Sequence, residues 1–164
     1  MARRQNKTPD KFTVDVLRLD QEGRGVAYND GKVAFIEGAL PGERVTYERI
    51  RNKPSFEMGR VTEVFNESVM RVKPRCPNFG HGPGSCGGCA MQHLEPRAQV
   101  AFKERVMLDT LWHIGKVKPE NILTPIVGPT WHYRHRARLT VRNVEKKGGV
   151  LVLSLIHISE PTRP

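Results

Sequence analysis

All three cysteines of this 164-residue chain fall in one Gly/Pro-rich stretch, Cys76-Pro77-Asn78-Phe79-Gly80-His81-Gly82-Pro83-Gly84-Ser85-Cys86-Gly87-Gly88-Cys89. Buried structural cysteines scatter among apolar neighbours, and these have almost none. Cys86 and Cys89 can put two thiolates on one metal, because Gly87 and Gly88 let the backbone turn tightly around it. Cys76 adds a third ligand from upstream. With His81 or His93 as a fourth ligand, the set suits zinc about as well as an iron–sulfur cluster. Residue types alone leave both open. A redox dithiol fits less well, because that motif opens a helix in a βαβ context. Outside a metal site, His81 reads as loop filler and His93 as a local cap or surface residue.

A second chemical feature is Trp131-His132-Tyr133-Arg134-His135-Arg136-Ala137-Arg138-Leu139-Thr140-Val141-Arg142. At period two, Arg134, Arg136, Arg138, Thr140 and Arg142 share one face of a strand. Tyr133, His135, Ala137, Leu139 and Val141 share the other. Guanidiniums about 6.6–6.8 Å apart along one face roughly match successive phosphates of a nucleic-acid backbone. A solvated face would mix in acids, and this one has none. The whole chain agrees in sign: 27 Lys and Arg against 17 Asp and Glu give a net charge of +10, which favours a polyanionic partner. Trp112 and Trp131 could stack on a base, although core packing is the ordinary use of both.

These features need elements to position them. Phe12, Val14 and Val16 alternate with polar residues as a half-buried strand. Val26-Ala27-Tyr28, Val33-Ala34-Phe35-Ile36, Val45–Ile50 and Gly59–Phe65 follow as further strands. Asn29-Asp30-Gly31 is a hairpin turn, and Pro41-Gly42 sets the two corners of another. Five short strands joined by tight turns predict a small closed barrel of the OB type over residues 11–66, with an SH3-like barrel as the alternative. Residues 1–10 read as a disordered basic arm. Pro96 suits a helix start and Gly115 its stop. Between them Val100, Ala101, Met107, Leu108, Leu111 and Ile114 form a stripe expected to pack on a core. The fold class is therefore mainly β with α, a barrel followed by a metal loop, one helix and part of a β-rich domain over residues 67–153. No apolar run is long enough to span a membrane, and the N-terminus lacks a signal peptide's apolar core. An odd cysteine count without an export signal points to the reducing cytoplasm.

The motifs resemble a known family. Gly38-Ala39-Leu40-Pro41-Gly42-Glu43-Arg44-Val45 is similar to the turn signature of a TRAM domain. Arg75-Cys76-Pro77, Cys86-Gly87-Gly88-Cys89-Ala90-Met91-Gln92-His93 and Trp131–Arg136 resemble the RNA 5-methyluridine methyltransferases, within them the iron–sulfur group acting on 23S rRNA. The resemblance covers about residues 11–153. It implies an RNA-binding TRAM barrel and a [4Fe-4S] cluster on Cys76, Cys86 and Cys89, with ribosomal RNA as partner and a monomeric state. The spacing from Cys76 to Cys86 is longer than is usual in the family, with His81 to Ser85 the natural place for the insertion. The family's fourth cluster cysteine lies downstream, and this chain has none beyond Cys89. The resemblance also implies a Rossmann-like domain that binds S-adenosylmethionine and carries a cysteine attacking C6 of uracil. Such chemistry needs a spare thiolate and a flipped base. The sequence offers neither that cysteine nor a cofactor loop. The chain is accordingly expected to be an N-terminal fragment, catalytically inactive alone, with no catalytic residue of its own. Residues 154–164 resemble read-through of a sequencing adapter and are expected to be an artefactual tail.

Overall fold

Two turns set the first half of the chain. Asp30 and Gly31 both take positive φ, 48° and 79°, in a two-residue loop between β3 (Gly25–Asn29) and β4 (Lys32–Glu37). That loop suits the right-handed twist of paired strands. Gly42 takes φ 82°, and the Glu43 amide donates to the Leu40 carbonyl at 3.2 Å, closing the Pro41-Gly42 turn into β5 (Arg44–Asn52). The computed structural model of the chain describes residues 10–80, 85, 88–133, 135, 136, 139–144 and 149–154. They divide into two compact units: residues 10–73 with 93–95, and the described residues of 74–92 and 96–154.

The first unit is a six-stranded sheet in the order β1-β5-β6-β4-β3-β2, with β1 (Lys11–Asp15), β2 (Arg18–Leu19) and β6 (Phe56–Val64) completing the set. All neighbours run antiparallel except β4 and β6. β1 and β2 are one bent strand that joins the sheet's two edges. The Val16 amide donates to the Glu43 carbonyl at 2.8 Å, and the next amide, Leu17, donates to the Val26 carbonyl at 2.9 Å. The sheet thereby curls into the OB-like barrel expected of the sequence. Inside it Val14, Val16, Ala27, Ala34, Ile36, Ala39, Val45 and Tyr47 form the core, with Phe12, Val61 and Val64 against them. Small residues suit so narrow a barrel, and Tyr47 fits because Gly59 faces it. A Cβ on Gly59 would run into the Tyr47 ring and stand 2.8 Å from the Glu48 carbonyl oxygen.

Three readings of the first unit change. β2 has no period-two signal and was not foreseen. Asp10, assigned to the disordered arm, is held by Arg49: their side chains form an ion pair, and the Arg49 amide donates to the Asp10 carbonyl at 2.9 Å. The remainder of that arm, residues 1–9, lies outside the described residues. His93, read as a cap or surface residue, is buried beside Leu94. Its carbonyl accepts from the Val72 amide at 2.9 Å, so the chain entering and the chain leaving the cysteine stretch pair with each other.

The second unit contains α1 (Pro96–His113) and a hairpin of β7 (Leu139–Val144) with β8 (Gly149–Ser154). Pro96 opens the helix as expected. The apolar stripe does not enter a core: none of the 18 helix residues is buried. Instead Met107 is 48% exposed and Ile114, just past the helix end, is 77% exposed. Beside the helix runs a cleft of about 620 Å³, bounded by Val100 and Met107 on α1 and by Ile122, Ile126 and Tyr133 on the irregular chain that follows. Of the expected tail, residues 154–164, Ser154 instead closes β8 opposite Leu139, and the remainder lies outside the described residues. No described helix is long and apolar enough to cross a membrane.

Candidate functional site

The chain approaches the cysteine stretch along a buried ion pair. Glu43, at the barrel turn, is fully buried, and Arg71 reaches it from the segment that follows β6. Arg71 Nε donates to Glu43 Oε1 at 2.5 Å and Nη2 donates to Oε2 at 2.7 Å. Nη2 also donates to the Gly38 carbonyl at 2.7 Å. Amides of Leu40 and Ser68 donate to the same carboxylate at 2.8 and 3.1 Å. Burial pushes the Glu43 pKa up most strongly of any single cause. The hydrogen bonds from Arg71, Leu40 and Ser68 and the Arg71 charge together outweigh it, so the carboxyl sits below its ordinary value.

Beyond Lys73 the stretch turns at once: the Phe79 amide donates to the Cys76 carbonyl at 3.1 Å. The Cys76 amide donates to Gln92 Oε1 at 3.2 Å, which fastens the start of the stretch to its end. Gln99 on α1 donates through Nε2 to the Met91 carbonyl at 3.0 Å. Cys76 is half-buried and Cys89 exposed, and both are free thiols. Cys86 and His81 lie outside the described residues. Among the described residues no three His, Cys, Asp or Glu side chains gather into a metal-holding group. The donor chemistry suits a soft metal, since free thiols sit in a polar Gly/Pro turn where a thiolate ligand needs no rearranged core.

The arginine segment departs from expectation. A strand was predicted from Trp131 through Arg142, yet residues 131–133, His135 and Arg136 lie outside any strand. Strand structure begins at Leu139, where the ladder to β8 ends at the pair Leu139↔Ser154. Arg136 is exposed; Arg142 lies in β7, and its side chain is outside the described residues, as are Arg134 and Arg138 altogether. Trp131 and Trp112, assigned by preference to a core, are 36% and 53% exposed. Arg75 lies over the Trp131 ring with its guanidinium carbon 5.1 Å from the centroid, a cation–π contact.

Sequence reasoning missed a second buried polar cluster, inside the barrel. Glu57 alternates with the half-buried Phe56 and Met58 on β6 and faces inward beside Tyr47. Its carboxylate accepts from the Tyr47 hydroxyl, from Asn29 Nδ2 at 2.9 Å and from Arg49 Nη1 at 3.2 Å. Burial raises the Glu57 pKa, and those three donors with the Arg49 charge bring it below the ordinary value. Burial and the neighbouring carboxylate push the Tyr47 phenol well above its ordinary range. The detectable signal was position: Glu57 falls on the same phase of β6 as Gly59 and Val61, which face the core.

Comparison with known proteins shows what the sequence is similar to. Residues 8–47 match the TRAM domain. The chain is 63% identical over 142 residues to the 23S rRNA (uracil(1939)-C(5))-methyltransferase RlmD of Bordetella pertussis, covering 85% of this chain and 30% of that protein. It is 62% identical over 137 residues to the protein of that name from Chromobacterium violaceum, covering 84% of this chain and 26% of the relative. The Burkholderia lata protein is 56% identical over 145 residues, covering 85% of this chain and 30% of the relative. The chain thus spans about a third or less of the length of the curated relatives it matches.

Proposed function

We propose that this chain, by sequence a member of the RNA (uracil-C5)-methyltransferase family, is the part of such an enzyme that holds ribosomal RNA and carries a metal cluster. The observation that supports this most is the match to the RlmD proteins over 85% of the chain, on a closed TRAM barrel followed by three cysteines. In the whole protein, S-adenosylmethionine would supply the methyl group. Its transfer to uracil C5 needs a cysteine nucleophile, and the three cysteines here are all assigned to the metal loop.

Cys76, Cys86 and Cys89 would hold a [4Fe-4S] cluster, whose role here is to brace the loop. The chain's own residues do the rest. The hydrogen bond from the Cys76 amide to Gln92 holds the loop ends together. The Glu43–Arg71 pair sets the direction in which the chain leaves the barrel. Arg134, Arg136, Arg138 and Arg142 would meet phosphates, and the cytoplasm is the compartment where such a substrate is met.

Two measurements test this reading. Anaerobic loading with iron and sulfide should give the broad visible absorption of an iron–sulfur cluster, lost on Cys76→Ser; a colourless protein holding stoichiometric zinc would replace the cluster with a zinc site. Reversing Arg134, Arg136 and Arg138 to Glu should weaken binding to a 23S rRNA oligonucleotide and flatten its salt dependence by about 0.7 for each phosphate no longer neutralised. Unchanged affinity and slope would remove the arginine segment from the RNA interface.

A further inference from the structure

The strand register assembles, on the outside of the barrel, side chains that are far apart in sequence. Arg18 pairs with Val26, Val26 with Phe35, Phe35 with Met58 and Met58 with Arg51. Cross-strand partners point to the same face. These five residues therefore form one row across five strands, with an exposed arginine at each end, Arg51 standing at a register shift of β5; between them Val26 is buried and Phe35 and Met58 are half-buried. Strands about 4.8 Å apart make the row about 19 Å long along the sheet. The next row on the same face is Tyr28, Val33 and Phe56. Opposite faces of these strands turn inward, where Ala34 pairs with Glu57 and Ile36 with Gly59.

This outer face is both aromatic and cationic. Tyr28 is 55% exposed, and Phe35, Phe56 and Met58 are half-buried, so their remaining surface meets solvent. The Phe35 and Phe56 rings meet edge to face, with centroids 5.7 Å apart. Arg24 adds a guanidinium 5.1 Å from the Phe35 centroid. Three acids nearby are engaged, Asp20 and Glu22 with Arg24 and Glu37 with Arg60, while Asp30 in the β3–β4 turn and Glu48 opposite Arg60 lie in no ion pair among the described residues. Arg18 and Arg51 are exposed and lie in no ion pair among the described residues. Core packing does not require this arrangement, because the barrel interior is filled from the other face.

We propose that this face is a stacking platform for unpaired RNA bases, with Tyr28 and Phe56 offering rings and Arg18 and Arg51 receiving the flanking phosphates. Aromatic rings interleaved with arginines are the chemistry that binds single strands without reading sequence. The proposal rests on the RNA-binding reading above and adds a location to it, remote in sequence from the arginine segment.

The test compares the 164-residue chain and its variants on single-stranded oligouridylate, on the same length of abasic ribose-phosphate chain, and on an RNA duplex. The unchanged chain should prefer the single strand over both. Tyr28→Ala should weaken single-strand binding about tenfold, with the salt slope unchanged, and Tyr28→Phe should restore it. Arg18→Ala with Arg51→Ala should lower the salt slope by about 0.7 for each residue. Phe35 and Phe56 are left intact, because they also support the sheet. If the unchanged chain binds RNA and Tyr28→Ala binds all three as well as before, the platform is wrong and the RNA reading stands. If the unchanged chain binds none of them, both fail. If Tyr28→Ala alters sedimentation but not RNA affinity, the face is a protein contact and the platform is again refuted.

Discussion

Removing the guanidinium of Arg71 should cost the barrel far more than an ordinary ion pair is worth. Surface pairs contribute about 0–1 kcal/mol. Glu43 is not on the surface: its side chain is fully buried, and Arg71 is only 16% exposed. Arg71→Ala leaves a buried carboxylate with two amide donors, from Leu40 and Ser68, and no countercharge. Stranding a buried charge in this way costs about 3–5 kcal/mol. The two surviving amide bonds place the expected loss near the lower end of that range. Against a typical domain stability of about 5–15 kcal/mol, this is a large share. The pH dependence gives an independent sign. In the unchanged chain the folded pKa of Glu43 is depressed. Its contribution is therefore present above the unfolded carboxylate value and lost as pH falls through the lower folded value. In Arg71→Ala, burial is opposed by less, the folded pKa rises, and folding takes up a proton. Stability of the variant should then rise as pH is lowered from neutral toward 5, a window in which Glu43 of the unchanged chain contributes no change. The assay is a urea titration read by pulsed hydrogen exchange over β5 and β6, which isolates the barrel from the second unit. Glu43→Gln combined with Arg71→Met should cost less than Arg71→Ala alone, because no charge is buried. A loss below about 1 kcal/mol in Arg71→Ala, or an unaltered pH slope, would falsify the assignment of Glu43 as a charge that depends on Arg71.

Other consequences follow from the barrel interior. Gly59→Ala should shift the same urea midpoint by the equivalent of about 1–3 kcal/mol, since its methyl group meets the Tyr47 ring; a neutral result would mean that the ring can swing away. Tyr47→Phe removes one of three side-chain donors to Glu57 and should cost about 1–3 kcal/mol. It should also move acid-induced loss of the barrel to higher pH, because the Glu57 pKa is then less depressed; an unmoved acid midpoint would contradict that link. In an alkaline titration followed by phenolate absorbance, Tyr47 should not ionise with the other tyrosines while the barrel stays folded. Early ionisation of all the tyrosines would show the Tyr47 hydroxyl to be open to water.

Some of this architecture was legible because it depends on local chemistry. Asp30-Gly31 and Pro41-Gly42 announce turns through the φ values they alone take readily, and the strands between them alternate clearly. Pro96 likewise marks a helix start. What escaped depends on partners distant in sequence. Glu43 and Glu57 look like surface acids until Arg71, 28 residues away, and Asn29, 28 residues away, are brought beside them. β2 is two residues long and exists because β3 pairs with it. Arg134 to Arg142 alternates well enough for a strand, but pairing with β8 begins only at Leu139. For the same reason the stripe on α1 was read as a packing face, whereas the helix has no pronounced apolar face and buries none of its residues: periodicity says which residues align, not what covers them. The cysteine stretch was found from composition alone, since no fold-level knowledge is needed to see three thiols among glycines and prolines.

The bent strand β1–β2 also fixes an order of events during synthesis. β1 leaves the ribosome early but pairs with β5, and Thr13 bonds to Thr46, 33 residues later. At about 5–20 residues per second, β1 waits about 2–7 s for its partner to be made. The β3–β4 hairpin needs no such delay, because its turn residues preset it and hairpins close in about 1–10 μs. The barrel should therefore start from β3–β4 and close only once β6, which joins β4 to the β5 that β1 pairs with, has been made. For those seconds the apolar residues Phe12, Val14 and Val16 are without their barrel. The charged residues around them, Asp10, Lys11 and Asp15, would help keep the nascent strand from pairing with another chain while it waits.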